Sequence, residues 1–124
     1  VGCAAPLQEA VIPGLEFGQD YYDDLLAKYT HKKDLFLKGL DDLHISHNDP
    51  EGAYYVLLDI REYGYESDLQ FCKNLAREVG VGAVPGSSFF REPVNHLIRL
   101  HFAKNDDTLN EALNRLEKIQ KLKK

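Results

Sequence analysis

Residues 53–60 read AYYVLLDI and decide the fold. This run is rich in β-branched and aromatic residues, which favours a β-strand. A turn-forming cluster, NDPEG at residues 48–52, precedes it. The run is apolar on both faces, which is typical of a central strand covered from both sides. We therefore expect a sheet built around residues 53–60.

Two further strands are predicted downstream of this run. Residues 97–102 alternate strictly, so successive side chains should point to opposite faces of the sheet. One face would carry Ile98, Leu100 and Phe102, and the other Leu97, Arg99 and His101. A short strand is expected at Val81–Val84, before the turn-forming residues that follow it.

The amino-terminal third is predicted to be helical. A short helix should end before Pro13, because proline disrupts a helix interior. Apolar residues then recur at helical spacing over residues 20–44, where Asp20 and Asp23 resemble a capping box. The polar middle of this helix, Thr30–Lys33, suggests that it bridges two bodies. We therefore divide the chain into a lead-in, residues 1–19, and a domain, residues 20–124, that begins with this long helix.

Two more helices complete the predicted domain. Ser67 and Gln70 form a second capping box that opens a helix, and Gly80 should end it. Asn105 or Asp106 should cap the last helix. The order helix, strand, helix, strand, strand, helix predicts a two-layer α/β (α+β-like) small domain. Its sheet is expected to be mixed, with three to four strands covered by helices.

Composition excludes several classes of protein. The 124 residues are 44% hydrophobic, which allows an independent core and rules out a disordered chain. The net charge of −5 disfavours a nucleic-acid or anionic-membrane partner. The longest wholly apolar run, Ala53–Leu58, is far too short to span a membrane. Neither nucleic acid nor a membrane is therefore an expected partner.

Two residue counts bear on the origin of the chain. It contains no methionine, and its first residues lack the basic opening of a secretory signal, so we expect a piece of a longer protein. Cys3 and Cys72 sit in no metal or redox spacing. One disulfide between them is conceivable, but we expect two reduced, buried thiols in a cytoplasmic protein.

Arg99 is the most informative polar residue of the predicted strands. An arginine between Ile98 and Leu100 is costly unless its guanidinium meets an anion or water. It could grip a substrate carboxylate through two parallel hydrogen bonds. It could instead lie on a solvated sheet face or in a structural ion pair, and this is the reading that the residues alone favour.

Three further groups of residues were considered for chemistry. The segment PGSSFF, residues 85–90, offers hydroxyls and free amides that could line an anion site. Alternation should send Tyr54 and Tyr55 to opposite faces, one into the core and one outward. His44, His47 and Asp49 share a polar stretch, but they form no complete ligand set, and we predict no metal.

Three segments in order resemble the carboxy-terminal signature of class I/II aminotransferases. They are PEGAYY at residues 50–55, GVGAVPGSSFF at 80–90, and IRLHFA at 98–103. The segment APLQEA, residues 5–10, also resembles the family stretch that leaves the large domain. The likeness covers essentially the whole chain, and among subgroups it is closest to the glutamine, kynurenine and methionine aminotransferases. It implies the fold of aspartate aminotransferase, a pyridoxal-phosphate enzyme of fold type I.

The resemblance implies roles for matching residues. Arg99 matches the arginine that binds the substrate α-carboxylate, and Tyr54, Tyr55, Ser87 and Phe89 match positions near the site. The long helix matches the connection between the large and small domains. The lysine that joins pyridoxal 5′-phosphate lies in the missing large domain, so this chain alone should be inactive and bind no cofactor. The complete enzyme, a homodimer, should exchange an amino group between an amino acid and a 2-oxo acid.

Two other classes of function remain as alternatives. One is a free-standing small-molecule-binding or regulatory module of ferredoxin-like build. The other is an interaction domain without a ligand. A small domain separated from a large one should also leave an apolar face uncovered, around residues 1–19 and the start of the long helix, and should self-associate.

Overall fold

A computed structural model describes residues 2–124. It contains four α-helices, three β-strands and several short helical turns within that range. The helices and strands are α1 (Ala5–Leu15), α2 (Gln19–Asp42), β1 (Tyr55–Asp59), α3 (Asp68–Asn74), β2 (Val84–Pro85), β3 (Leu97–His101) and α4 (Asp106–Leu116). A π-helical turn, Leu75–Val79, extends α3, and 3₁₀ turns lie at Arg61–Tyr63, Gly86–Ser88 and Ile119–Leu122.

The three strands form an antiparallel sheet in the order β1-β3-β2. In the register, Leu57 of β1 and Val84 of β2 both pair with Arg99 of β3. The prediction of a mixed sheet was wrong, because β3 inserts between β1 and β2, which run in the same direction but do not pair. The expectation that residues 53–60 form the central strand was wrong for the same reason: β3 is central.

One face of the sheet packs against the core, and the other carries half-buried or exposed side chains. Val56 and Leu58 of β1 are fully buried, as is Ile98 of β3, whereas their neighbours along each strand are half-buried or exposed. Helices α2, α3 and α4 contribute to the same core cluster with Phe36, Leu37, Leu40, Phe71, Cys72, Leu109 and Leu116. The two-layer α/β small domain predicted from the sequence is therefore confirmed.

The helix ends show which capping predictions hold. Ser67 Oγ accepts from the Gln70 amide at 3.3 Å, and Asn105 Oδ1 accepts from the Thr108 amide at 2.9 Å. Gly80 ends the π-helical turn after α3 at φ 81°, the left-handed conformation that favours glycine. The predicted Asp20 cap was wrong, since the residue preceding α2 is Gly18, with no side-chain cap.

Helix α1 lies away from the core. It continues through Pro13 to Leu15, so the predicted end before Pro13 was wrong. None of its residues is buried, and the buried residues of α2 are all near its carboxyl end. The large apolar side chains of this region stand exposed; they are Leu7, Val11, Ile12, Leu15, Phe17, Tyr21, Tyr22, Leu25 and Leu26, here called the amino-terminal apolar face. The uncovered apolar face predicted for this region is confirmed.

The two cysteines differ in environment. Cys72 of α3 is buried, as predicted, and burial raises the pKa of its thiol to about 11. Cys3 is exposed, so the prediction that both thiols are buried was wrong for it. It precedes α1, which contributes nothing to the core. No helix within residues 2–124 is long and apolar enough to cross a membrane.

Candidate functional site

Arg99 stands at the centre of the sheet face that the helices leave open. The strand pleat sends Ile98 and Leu100 into the core, so the side chain between them points to the opposite face. Arg99 is half-buried there, between its register partners on both neighbouring strands. The sheet thus holds the backbone of Arg99 on both sides, which gives its side chain a rigid base.

Two aromatic rings flank the guanidinium of Arg99. Its Cζ lies 4.1 Å from the ring centroid of Tyr55 and 3.9 Å from that of Phe89. Both distances are within the range of cation–π attraction. We call these two rings the aromatic clasp.

The N–H groups of Arg99 are free to bind a ligand. No carboxylate within residues 2–124 forms an ion pair with it. Its side chain also makes no hydrogen bond to the protein in the same range, so a structural ion pair does not account for it. A half-buried cation is costly without an anion or water. The ring faces cannot accept strong hydrogen bonds, and the donors are therefore available to an acceptor from outside.

A cleft of about 390 Å³ opens beside this guanidinium. Its walls include Leu57, Phe90 and Pro50, with the two rings of the aromatic clasp. Glu51 is the only carboxylate that lines it in the described part of the chain. The turn that carries Glu51 is anchored by Asn48, whose Oδ1 accepts from the Leu57 amide at 2.8 Å. The cleft is therefore a mostly apolar recess with one cation and one carboxylate.

Tyr54 and Tyr55 lie side by side rather than on opposite faces. Their ring centroids are 4.5 Å apart, and the Tyr55 hydroxyl donates to Tyr54 Oη at 3.2 Å. The prediction of opposite faces was wrong because β1 begins only at Tyr55, and Ala53 has φ 58°, so the chain bends there. Interaction with the adjacent Tyr55 side chain raises the pKa of Tyr54. The ring centroids of Tyr54 and of Tyr29 in α2 are 6.2 Å apart.

Ser87 binds Asp68 rather than lining the cleft. Its amide donates to Asp68 Oδ2 at 2.7 Å, and its hydroxyl donates to Oδ1 at 3.1 Å. Asp68, at the start of α3, is only 2% exposed. Gly86 allows the same loop to pass close to the backbone of β3, because a Cβ at this position would lie 2.5 Å from the Leu97 carbonyl oxygen. These contacts orient the short turn that presents Phe89 to Arg99.

Asp68 was missed in the sequence reading. Its position directly after a capping serine suggests only a charge favourable to the helix dipole. Its true partner, Ser87, lies nineteen positions away. A buried acid can be recognised only once the fold brings such a partner to it.

The residues considered for metal binding are separated by other partners. His47 Nε2 lies 3.1 Å from Asp41 Oδ1, and Asp49 pairs with Lys33 at 3.3 Å. His44 lies just beyond α2, with φ 56°. No group of three or more histidine, cysteine or acidic residues that could hold a metal occurs within residues 2–124.

The family model for aminotransferase class I and II matches residues 2–116. Among curated relatives, a probable N-succinyldiaminopimelate aminotransferase of Mycobacterium tuberculosis is 34% identical over 122 residues, covering 90% of this chain and 31% of the relative. The methionine aminotransferase of Escherichia coli is 35% identical over 115 residues, covering 92% of this chain and 30% of the relative. The solved N-succinyldiaminopimelate aminotransferase of M. tuberculosis superposes with a TM-score of 0.82 at 35% identity, over 93% of this chain and 30% of that one.

These matches show that the chain belongs to the class I and II aminotransferases. The chain spans about a third of the length of the curated relatives named here. Its fold corresponds to one part of a solved aminotransferase.

Members of this family use pyridoxal phosphate, and the Arg99 cleft does not fit that cofactor. No lysine lines the cleft within residues 2–124, and Arg99 is the one cation there. The cofactor carries an aldehyde and a phosphate, which require an amine and several anion-binding groups. The cleft offers instead a single planar cation in an apolar recess. That arrangement suits a carboxylate, which guanidinium can bind through two parallel hydrogen bonds.

Proposed function

We propose that this chain is the small domain of a pyridoxal-phosphate-dependent aminotransferase and that Arg99 binds the substrate α-carboxylate. The complete protein would transfer an amino group from an amino acid to a 2-oxo acid. The observation that carries the proposal is the free guanidinium edge of Arg99, which has no ion-pair partner in residues 2–124 and opens into an apolar cleft.

The residues of the cleft suggest how a substrate would be held. Two N–H groups of Arg99 would donate to the two carboxylate oxygens, fixing both the position and the plane of that group. Tyr55 and Phe89 would exclude water from the guanidinium, which strengthens the ionic hydrogen bonds. The cofactor, bound by the rest of the complete protein, supplies the electron sink for the chemistry. This chain contributes the orientation of the substrate, which accounts for much of an enzymatic rate.

We further propose that residues 1–19 lead in from a large domain and that the large domain covers the amino-terminal apolar face. Exposed apolar patches of this kind mark interaction sites. The most exposed members are Leu15 at 76% and Leu26 at 67%. The long α2 would then bridge the two domains, with only its carboxyl-terminal part buried in this one.

Separate observations support the proposed subgroup and the proposed cellular compartment. Similarity to a methionine aminotransferase supports placement near the glutamine, kynurenine and methionine subgroup. Free cysteines, one exposed and one buried, support a reducing compartment and hence the cytoplasm. We also propose a homodimer for the complete enzyme, as is general in this family. The alternative of a ferredoxin-like module is less well supported, because the described residues form three strands rather than the four of that fold.

Arg99→Lys in the complete enzyme tests the carboxylate role. An ammonium is a point charge that cannot hold both oxygens in one plane, so kcat/KM for α-amino acids should fall roughly ten- to a hundredfold. The melting temperature should stay near that of the parent. Arg77→Lys, at an exposed position of the turn after α3, is the matched control and should change neither quantity. A lower melting temperature with unchanged kcat/KM would show that Arg99 is structural and that the assigned role is wrong.

A further inference from the structure

We infer that Tyr55 and Phe89 are positioning residues that set the orientation of the Arg99 guanidinium for carboxylate binding. The inference rests on the proposed function of Arg99. It gives the two rings a specific role, which the sequence positions near the site do not define. They act through Arg99 rather than on the reacting atoms.

The first observation is the geometry of the clasp. Each ring presents its face to the same guanidinium carbon, at 4.1 Å for Tyr55 and 3.9 Å for Phe89. An arginine side chain has several freely rotating bonds, and fixing them costs conformational entropy whenever a ligand binds. Two rings at contact distance restrict that rotation before the ligand arrives. The ordering is then a property of the folded protein rather than a cost of each binding event.

The second observation is that each ring is itself held in place. The Tyr55 ring is fixed by the hydrogen bond from its hydroxyl to Tyr54 and by its position at the start of β1. Phe89 follows a 3₁₀ turn, and its amide donates to the Gly86 carbonyl at 2.9 Å. That turn is fastened to α3 through Ser87 and Asp68. The clasp therefore joins the strand of Tyr55 to a loop attached to α3, with Arg99 between them.

The third observation is the exposure of Phe89. Its side chain is 49% exposed, although the core of the domain is otherwise built from buried apolar residues. Leu69 has the same exposure and does not line the cleft. A half-exposed phenylalanine gains little free energy from the burial of its side chain. The contact with Arg99 therefore accounts for the position of the Phe89 ring.

Phe89→Leu in the complete enzyme tests the inference, because leucine keeps an apolar side chain and removes the ring face. The probe is 4-methylpentanoate, a carboxylate without an amino group. We expect its dissociation constant to rise about two- to tenfold, with a similar loss of kcat/KM, the range that a cation–π contact allows. Phe89→Tyr retains a ring, so its dissociation constant and kcat/KM should stay near those of the parent enzyme. Leu69→Ala, matched in exposure and outside the site, should change neither.

The outcomes separate this inference from the proposed function. If Arg99→Lys weakens binding of 4-methylpentanoate and Phe89→Leu does not, the positioning role is wrong while the carboxylate site stands. If Phe89→Leu lowers only the melting temperature, Phe89 is structural and the inference is overturned. If Arg99→Lys changes nothing, the proposed function fails and the inference falls with it. Tyr55→Leu serves as a second variant, measured in the same way, so that poor folding of one variant leaves the test intact.

Discussion

Gly39 of α2 and Leu113 of α4 meet so closely that a Cβ built at position 39 would lie 2.3 Å from Leu113 Cδ1 and 2.9 Å from its Cγ. No real Cβ contact is this short, so the two helices can pack here only because residue 39 lacks a side chain. Helix α2 carries four residues of the amino-terminal apolar face, and α4 contributes to the core. This close approach therefore contributes to how α2 packs on α4.

Gly39→Ala should destabilise the chain. Alanine is a better helix former than glycine by about 1 kcal/mol, but overpacking a fitted contact costs about 1–3 kcal/mol. Because the clash reaches Cγ of Leu113, the whole end of that side chain must move, and we expect a net loss of about 1 kcal/mol in the free energy of unfolding. Urea denaturation measures it. Gly82→Ala is the control, because no atom lies within 4 Å of its Cβ position.

A double substitution checks the cause of that loss. Leu113→Ala should cost less stability in the Gly39→Ala background than in the parent chain, since there it also relieves the clash that Gly39→Ala introduces. Equal costs in both backgrounds, or a gain in stability from Gly39→Ala alone, would show that the contact does not limit the packing of α2 on α4.

Asp68→Ala should destabilise the loop that presents Phe89. The substitution removes the carboxylate that accepts from the Ser87 amide, and a hydrogen bond to a charged group contributes about 1.5–3 kcal/mol. Ser87→Ala removes only the hydroxyl contact at 3.1 Å and should cost less. Asp107→Ala, in the first turn of α4, is the control for losing a carboxylate near a helix amino terminus. Equal losses from Asp68→Ala and Asp107→Ala, measured by urea denaturation, would rule out a special role for Asp68.

Alkaline pH should weaken the fold through Cys72. Burial raises the pKa of its thiol from 9.0 to about 11, so the unfolded chain loses this proton at lower pH than the folded chain. The stabilising contribution is complete below pH 9 and is lost as the pH rises towards 11. Urea denaturation at pH 8 and pH 10 should show the decline, and Cys72→Ala should reduce it. An unchanged slope in that variant would assign the decline to other groups.

Self-association of the isolated chain should depend on the amino-terminal apolar face. Leu15→Glu and Leu26→Glu place charges on its two most exposed members, and sedimentation should show a shift towards monomer without loss of stability. Leu69→Glu, on an exposed residue of α3, is the control and should leave association unchanged. Association that persists in the double variant would place the contact on another surface.

Local patterns predicted much of this fold. Alternation along residues 97–102 correctly predicted the strand and the residues that share a face with Arg99. The Ser67 cap is confirmed, and of the two caps predicted for the last helix, Asn105 or Asp106, the structure has Asn105. The order of the strands was not predictable in this way. Periodicity reports which residues share a face, but it does not report which strand lies beside which.

The site was predicted in part for the same reason. Arg99 could be singled out because a cation among apolar strand residues needs an explanation. The clasp could not be predicted, since Tyr55 and Phe89 reach Arg99 from a neighbouring strand and from a loop. The pairing of Tyr54 with Tyr55 depends on the positive φ of Ala53, a conformation that alanine rarely adopts.

The strand order also determines when the sheet can form during synthesis. β1 and β2 do not pair with each other, and each makes its ladder only with β3, the last strand along the chain. A nascent chain that ends before Leu97 therefore cannot form either strand ladder. Until β3 has been synthesised, β1 and β2 remain unpaired, partly apolar segments, which are prone to aggregation. Arg99 and Ile98 are the two residues of β3 that pair with both edge strands, so the group proposed to bind the carboxylate enters the domain with the strand that first gives it a sheet.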